Sequence, residues 1–596
     1  MRSNVYLFWL LFLSLSARAQ SPFVPLNADY YHLIDRLEIH QNKWADSFHS
    51  SVKPYNRQSV IQLVDSLTAH PGRGFSNTDY FNFDYLRNDS WEWVTRTDSI
   101  DRLDPFTRHL AIQNSPGDSP QPVLKHFYHK KADAYSLQTP DLDLHVNPVV
   151  YVGFGAEAYL NPNATPSSER RFLFTNTRGL EVRGTISGKL GFYTFFTDTQ
   201  ASYPEYVQRY GDIYSSRFNG AEGAAPGESF IKKFRTNGVD YLSARGYITF
   251  DALKIINVQF GHDRNFFGNG FRSLLLSDNS PPALFMKFTT RLGKRIQYTN
   301  LYSQLQNTQA QPTDKADKLI PPKFTAMHHL SINLNDHMNL GVFEAEVFSR
   351  DRVDLSYLNP IILYRYVESS QGSADNAFVG IDFKANFLSQ FLVYTQFMLD
   401  EFRLRQLLDG KGDWTNKFAF QLGGKYIDAF NVPNLDLQLE MNLARPYTYS
   451  HERSATVSAG QTNYAHYSQP LAHPLGANFI EGLGIVRYQQ KKLSANGIFG
   501  LMMYGADTAP DRNYGGNILQ DYNSRIRNEG NFIGQGRKTI VTTADLRASY
   551  MLRHNIFLEG RYLYRFQSSQ NIQDNYTDHV LSFALRWNLP YRNLVF

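Results

Sequence analysis

The chain of 596 residues contains no cysteine. That excludes disulfide frameworks, thiolate metal ligands and thiol nucleophiles. It also closes the lipid-anchored export route, which needs a cysteine at the cleavage site. Past residue 19 no apolar run approaches the ~18 residues a transmembrane helix requires. Runs of basic residues, which would favour nucleic acid as a partner, are missing too. What is abundant is aromatic side chains, 15% of residues with 37 Tyr and 44 Phe, yet mean hydropathy is only −0.41. A chain so rich in rings and still hydrophilic must alternate apolar and polar residues at short range. A β-barrel crosses a membrane in that way, because only every second residue faces lipid.

The first residues read as an export signal. Arg2 supplies the positive charge, Val5 to Leu15 form an apolar stretch, and Ala17-Arg18-Ala19 fits a small-x-small cleavage pattern. Cleavage is expected before Gln20. Removal of Arg2 and Arg18 takes the 60 basic residues to 58 against 55 acidic, a balance of +3 that excludes nothing. The predicted organisation is a signal peptide at 1–19, a helical region and connector at 20–148, and a barrel at 149–596.

In the second segment Tyr30, Leu33, Ile34 and Leu37 recur at helical spacing, as do Val60, Leu63, Val64 and Leu67 behind Asn56 as a cap. Tyr80, Phe83 and Leu86, with Ser76 ahead of them, predict a third short helix. Residues 104–148 are rich in Pro, Asp, Ser and His and predict a connector with little regular structure. From Val149 the period changes to two. Leu435, Leu437, Leu439, Met441 and Leu443 oppose Asp436, Gln438, Glu440 and Asn442. Val379, Ile381 and Phe383 oppose Gly380, Asp382 and Lys384 in the same manner. About eighteen such segments follow one another, from 149–160 to 578–589. Their connections alternate. Asp251-Ala252-Leu253, Leu388-Ser389-Gln390 and Arg553-His554-Asn555 are short turns, whereas 200–238, 349–377, 445–476 and 505–537 are long loops. Tight periplasmic turns and long extracellular loops are the pattern of an outer-membrane barrel. The fold class is therefore an all-β transmembrane barrel with a small N-terminal α-helical plug on its periplasmic side. Barrel-assembly machinery favours a terminal aromatic, here Phe596, or Trp587 where Pro590 ends the pattern.

Four segments resemble the Wzi family of outer-membrane capsule-assembly proteins, including RemB-type gliding-motility relatives. They are Asn27 to Leu37, Gly261 to Leu274, Asn359 to Arg365 with Gly372 to Ala377, and Arg445 to His451 with Pro470 to Asn478. The resemblance implies a barrel of the same strand number with a helical bundle at its periplasmic end. It also implies a lectin-like role, holding capsular polysaccharide at the surface without being the export channel. The long connector before the first strand departs from the family pattern.

Candidate binding residues cluster in loop 445–476: Tyr447, Tyr449, His451, Arg453, Tyr464, His466, Tyr467 and His473. Rings can stack on the C–H faces of sugars and polar side chains can bond their hydroxyls; the same rings can equally pack on one another. Loop 262–282 adds Arg264 and Arg272. Its Gly268-Asn269-Gly270 core suits a concave turn whose amides attract anions, or a plain tight turn. Asp382, Asp436, Glu440, Arg547, Arg561, Arg565 and Arg586 are predicted to face the lumen, since charge towards lipid costs ~2–4 kcal/mol per Arg or Lys. The arginines form either internal ion pairs or a basic track for an acidic polymer. His328 and His329 sit on opposite faces of a strand, and no histidine spacing predicts a metal site. Ser450-His451 and Asp400-Glu401 lack a recognisable nucleophile setting, so no catalysis and no cofactor are expected. The expected partners are outer-membrane lipids, surface polysaccharide and the assembly machinery, with the chain a monomer. A transport channel is the other reading of the same barrel.

Overall fold

The computed structural model describes residues 21–68, 74–94, 117–119, 123–124, 126–163, 165, 167–214, 224–235, 238–308, 320, 322–350, 354–371, 375–401, 403–452 and 462–596. The predicted signal segment lies outside them. Eighteen antiparallel strands form a closed ring. The first six are β1 (Leu142–Leu160), β2 (Ser168–Ile186), β3 (Leu190–Ser202), β4 (Gly238–Leu253), β5 (Ile256–Asp263) and β6 (Ala283–Leu292). Next come β7 (Ile296–Gln306), β8 (Pro322–Asn333), β9 (Met338–Phe348), β10 (Asn376–Phe387), β11 (Phe391–Glu401) and β12 (Lys417–Tyr426). The last six are β13 (Leu435–Ala444), β14 (Phe479–Gln490), β15 (Leu493–Ala506), β16 (Arg537–Arg553), β17 (Ile556–Ser569) and β18 (Tyr576–Trp587). Each pairs with the next, and β18 closes on β1 with Thr577 opposite Leu160 and Trp587 opposite Val150.

The period-two pattern sets the faces of this wall. Leu439 is 71% exposed on the outside while Glu440 beside it is buried inside. Val342, Ile381, Phe499, Leu558 and Phe583 continue the exposed apolar band around the ring. No helix among the described residues is long and apolar enough to cross a membrane; the crossing is made by strands. Turns after even-numbered strands are short, as at 254–255, 388–390 and 554–555, with 427–434 the longest of them. Loops after odd-numbered strands include 203–237, 349–375, 445–478 and 507–536. The alternation predicted from sequence holds around the ring.

The plug enters at the short-turn end. Helix α1 (Ala28–Gln41) starts at Asn27, whose side chain accepts from the amides of Asp29 and Tyr30. Helix α2 (Arg57–Thr68) follows Asn56, whose side chain accepts from the Ser59 amide. Helix α3 (Asn77–Asp89) opens with a capping box between Ser76 and Asp79. Tyr30, Ile34, Leu37, Val60, Leu63, Val64, Leu67, Phe83 and Leu86 form their common core. Arg36 ties this bundle to the wall. Only 2% exposed, it bonds Asp79 of α3, Asp428 of a short turn and Asp436 of β13.

Three features depart from the sequence reading. Strand β1 begins at Leu142 rather than 149, because its start pairs with a ribbon at Tyr135–Gln138. The described end of the connector is ordered accordingly, with Asp133 accepting from Trp91 and Asn147 and bonded to His145. Residues 588–596 do not continue the wall but turn back into the lumen. There the Tyr591 carbonyl accepts from the Ala28 amide, and Phe596 packs on Tyr206 and Tyr210 of loop 203–237. Tyr206 and Tyr210 lie on helix α4 (Glu205–Ile213). The described stretch 354–371 of loop 349–375 folds down the outside of the barrel. Its helix α5 (Tyr364–Gln371) sets Tyr364 on the outward ring of His328, and the Pro360 carbonyl accepts from Asn300.

Replacing Arg36 with Ala leaves three carboxylates without their common cation. Loss of one partner from a buried ion pair costs ~3–5 kcal/mol. The R36A barrel is expected to lose heat stability in detergent and to show conductance steps in planar bilayers that the native protein lacks. Native-like melting and silence would refute the anchoring role.

Candidate functional site

Of loop 445–478 the structure describes residues 445–452 and 462–478. These described parts turn inward, with Tyr447 and Tyr449 both in left-handed backbone at φ 69° and 68°. The Tyr449 and Tyr464 rings stack at 5.8 Å, and their hydroxyls donate to the carbonyls of Leu274 and Leu275. The Tyr447 hydroxyl donates to the Asn513 carbonyl. His451 is bonded to the Thr462 hydroxyl at 2.8 Å, His466 to the Pro282 carbonyl at 3.1 Å and His473 to Glu481 at 2.7 Å. These six side chains are buried, so the expectation of a sugar-facing surface is corrected for them: Tyr449, Tyr464 and His466 join this loop to loop 264–282, Tyr447 and His451 pack towards loop 507–536, and His473 is held on β14. Tyr467 is half-buried, its ring edge-on to Phe230 at 5.2 Å. Arg453 lies outside the described residues.

The glycine-rich turn does hold an anion, and the anion belongs to the protein. The amides of Phe271 and Arg272 donate to the Glu440 carboxylate at 2.6 and 2.9 Å. Tyr394 donates to the same group at 2.7 Å. Gly268 adopts φ 148° while its amide donates to the Ser51 carbonyl. Arg272 pairs with Glu481 at 2.9 Å, and Arg264 with Glu228 at 3.0 Å. Both arginines are buried, which corrects their placement on a sugar-binding surface.

The predicted lumen charges all face inward. Asp382 takes hydrogen bonds from Asn269 and His329. Asp436 accepts from Arg36, and Arg561 is bidentate on Asp545 at 2.7 and 2.8 Å. Arg547 and Arg586 share Glu559 of β17 and reach Asp29 of the plug. Arg565 donates to the Tyr576 hydroxyl and to the Phe596 carbonyl. The basic strip is thus largely taken up by internal partners. His328 and His329 point to opposite faces as predicted. Among the described residues no group of three His, Asp or Glu is placed to hold a metal ion. Ser450 donates to the Tyr447 carbonyl and Asp400 accepts from the Tyr449 amide, so neither addresses His451.

A further aromatic and basic cluster lies on loops 403–416 and 507–536, its rings ranging from buried Tyr522 through half-buried Trp414 to exposed Phe532. Trp414 packs on Tyr522 at 4.9 Å, and the Arg525 guanidinium lies 4.0 Å over the Trp414 ring. Beside them Arg527 covers Phe532, which is 58% exposed. Sequence reasoning passed over this cluster because its rings are few and widely spaced, one of them in a different loop. The pair Arg525 and Arg527 close to Phe532 was the available signal.

No family model and no curated protein matches the chain. Among solved structures it is similar to Wzi of Escherichia coli, described as an outer-membrane carbohydrate-binding β-barrel involved in group 1 capsule assembly. Identity is 12%, coverage 96% of this chain and 100% of that one, and the TM-score 0.53. The Acinetobacter baumannii protein OccAB2 is similar over 74% of the chain and 98% of its own, at 9% identity and TM-score 0.38. Pseudomonas aeruginosa OccK7 gives 7% identity, the same two coverages and TM-score 0.38. The shared architecture with Wzi is the fold. The chain is an outer-membrane β-barrel.

The buried histidines make the loop layer sensitive to acid. Desolvation pushes His451 and His466 down to about 3. Their folded values lie below the unfolded ~6.5, so the stability they contribute is full above pH ~6.5 and lost as pH falls towards 3. Each contributes a slope of about 1.4 kcal/mol per pH unit in that window. Melting followed by intrinsic fluorescence should show a marked drop between pH 7 and 4.5. An H451N/H466N variant is expected to melt lower at pH 7 with a flatter profile; an unchanged profile would count against this.

Proposed function

We propose that the chain is a non-catalytic, Wzi-like barrel that binds surface polysaccharide from its extracellular side. The carrying observation is that the lumen is occupied from both ends while the outer rim presents half-buried Trp414 under Arg525 and, beside Arg527, Phe532 at 58% exposed. From below the plug is fixed by Arg36, and from above loops 264–282 and 445–478 share one core. Stacked rings beside guanidinium groups suit the C–H faces and hydroxyls of sugars. The carbohydrate binding described for Wzi supports the same reading, at the level of a common fold. In this reading the barrel works as a monomer, after insertion by the assembly machinery, and takes part in capsule or exopolysaccharide retention or in gliding motility.

The test pairs two measurements on the purified protein. Pull-down with polysaccharide from the parent cells is expected to retain the protein, and W414A/F532A to weaken retention about tenfold, the size of one to two lost stacking contacts. Bilayer recordings should be silent until residues 21–94 are removed. Large steady conductance from the intact protein, with no retention, would favour a transport channel and overturn the proposal.

A further inference from the structure

A cavity of about 260 Å³ lies inside the barrel, against the wall formed by β1–β4 and β17–β18. Tyr203, Tyr206 and Glu228 of loop 203–237 border it, and Tyr591 and Arg592 of the returning tail form another side. Its size is near the lower end of small-molecule sites, ~300–1,000 Å³. It suits a single sugar ring better than an extended chain.

The charges around it do not balance. Six arginines line the cavity, Arg245, Arg264, Arg547, Arg561, Arg586 and Arg592, against only Glu228 and Glu559. Five of the six have a carboxylate close by. Glu228 serves Arg264 at 3.0 Å and Arg592 at 3.6 Å. Glu559 and Asp29 serve Arg547 and Arg586, and Asp545 serves Arg561. Arg245 is the exception. It is 8% exposed, and its Nε has no hydrogen-bond partner. Among the described residues no carboxylate oxygen lies within 4.0 Å of its guanidinium; Asp263, Glu228 and Glu181 act on it only at longer range. What it does touch is the Phe195 ring, 4.0 Å beneath it.

A buried cation with no carboxylate in contact is unfavourable, whereas a guanidinium seated 4.0 Å over a ring is held in place to receive a carboxylate through its N–H groups. The wall around it is hydroxylated: Thr197 and Thr199 on β3 and Ser243 on β4 also line the cavity. Tyr203 and Tyr241 meet through their hydroxyls at 2.7 Å and add ring surface. A fork for a carboxylate, hydroxyls for hydroxyls and rings for a C–H face are together the complement of a uronic acid.

We propose that this lumen cavity binds one carboxylate-bearing sugar unit of the polysaccharide, with its carboxylate on Arg245. This rests on the surface-binding reading above and narrows it to an acidic polymer. The full chain in detergent is titrated calorimetrically with trigalacturonate and a hyaluronan tetrasaccharide, each against its carboxyl-esterified form. At least one free acid is expected to bind tenfold or more tighter than its ester. R245Q should abolish that preference, and R245K should retain only part of it because a single ammonium cannot form the fork. S243F, which fills the cavity, should weaken the acid as much as R245Q does and serves as the second variant if R245Q fails to fold by heat-shift on a gel. Equal binding of acid and ester, or variants that bind as the native protein does, overturns the proposal. Retention of the parent polysaccharide that survives both R245Q and S243F removes this site and leaves the rim reading standing. Absence of any retention by the native protein removes both.

Discussion

One buried guanidinium sets the terms for the interior of this barrel. The apolar band on the outside holds the wall in the membrane, but it does nothing to keep a helical bundle inside the ring. That bundle meets a wall in which Asp, Asn, Gln and Lys surround apolar patches, such as the one where Ile39 and Trp44 meet Leu392, Tyr394 and Ile427. Arg36 answers the problem by drawing Asp79, Asp428 and Asp436 to one point. The neighbouring contacts repeat the scheme with the signs exchanged, Asp35 on Lys425 and Asp29 on Arg547 and Arg586. Because the cations are buried, the value of these contacts lies less in each pair itself than in what an unpaired cation would cost. The plug is therefore specified by matching, and a bundle in another orientation would leave carboxylates facing carboxylates.

Much of this was legible in the sequence. Period-two alternation sorted Leu439 to lipid and Glu440 to the lumen, and the placement of short turns gave the polarity of the ring. Asn27, Asn56 and Ser76 marked the helix starts because capping is local chemistry. What stayed hidden is whatever depends on a partner far along the chain. Nothing near Glu440 announces that it will accept from Phe271 and Arg272, and nothing near Arg36 announces Asp436. Loop 445–478 shows the ambiguity most clearly. Tyr449 and Tyr464 are as suited to stacking on a sugar as on each other, and composition carries no sign of whether a loop turns out or in. The Trp414–Arg525 pair was missed for the converse reason, being assembled from two loops that are each unremarkable.

The outer wall carries a related lesson. His328, Glu344 and Glu346 point away from the lumen, where alternation alone would expose them to acyl chains. Loop 349–375 covers them, with Tyr357 and Tyr364 against Phe348 and His328. Its own outer side presents Leu355, Ile361, Leu363 and Tyr366, with Ile361 84% exposed. The strip of wall beneath β7–β9 thus meets protein, and the apolar surface is carried outwards onto a segment that is not part of the sheet. Two-faced strands can hold charge on both faces when a loop supplies the missing lipid-compatible layer.

The course of residues 588–596 bears on how such a molecule is put together. Strand β18 is the last to join the ring, and the seam is its contact with β1. The segment that follows it ends up threaded among the plug, Arg547 and loop 203–237. That segment leaves β18 at the short-turn opening and shares the lumen there with the plug helices. The strand that closes the seam on β1 and the segment that packs the interior are thus one continuous piece of chain, so wall and filling are tied covalently at the seam.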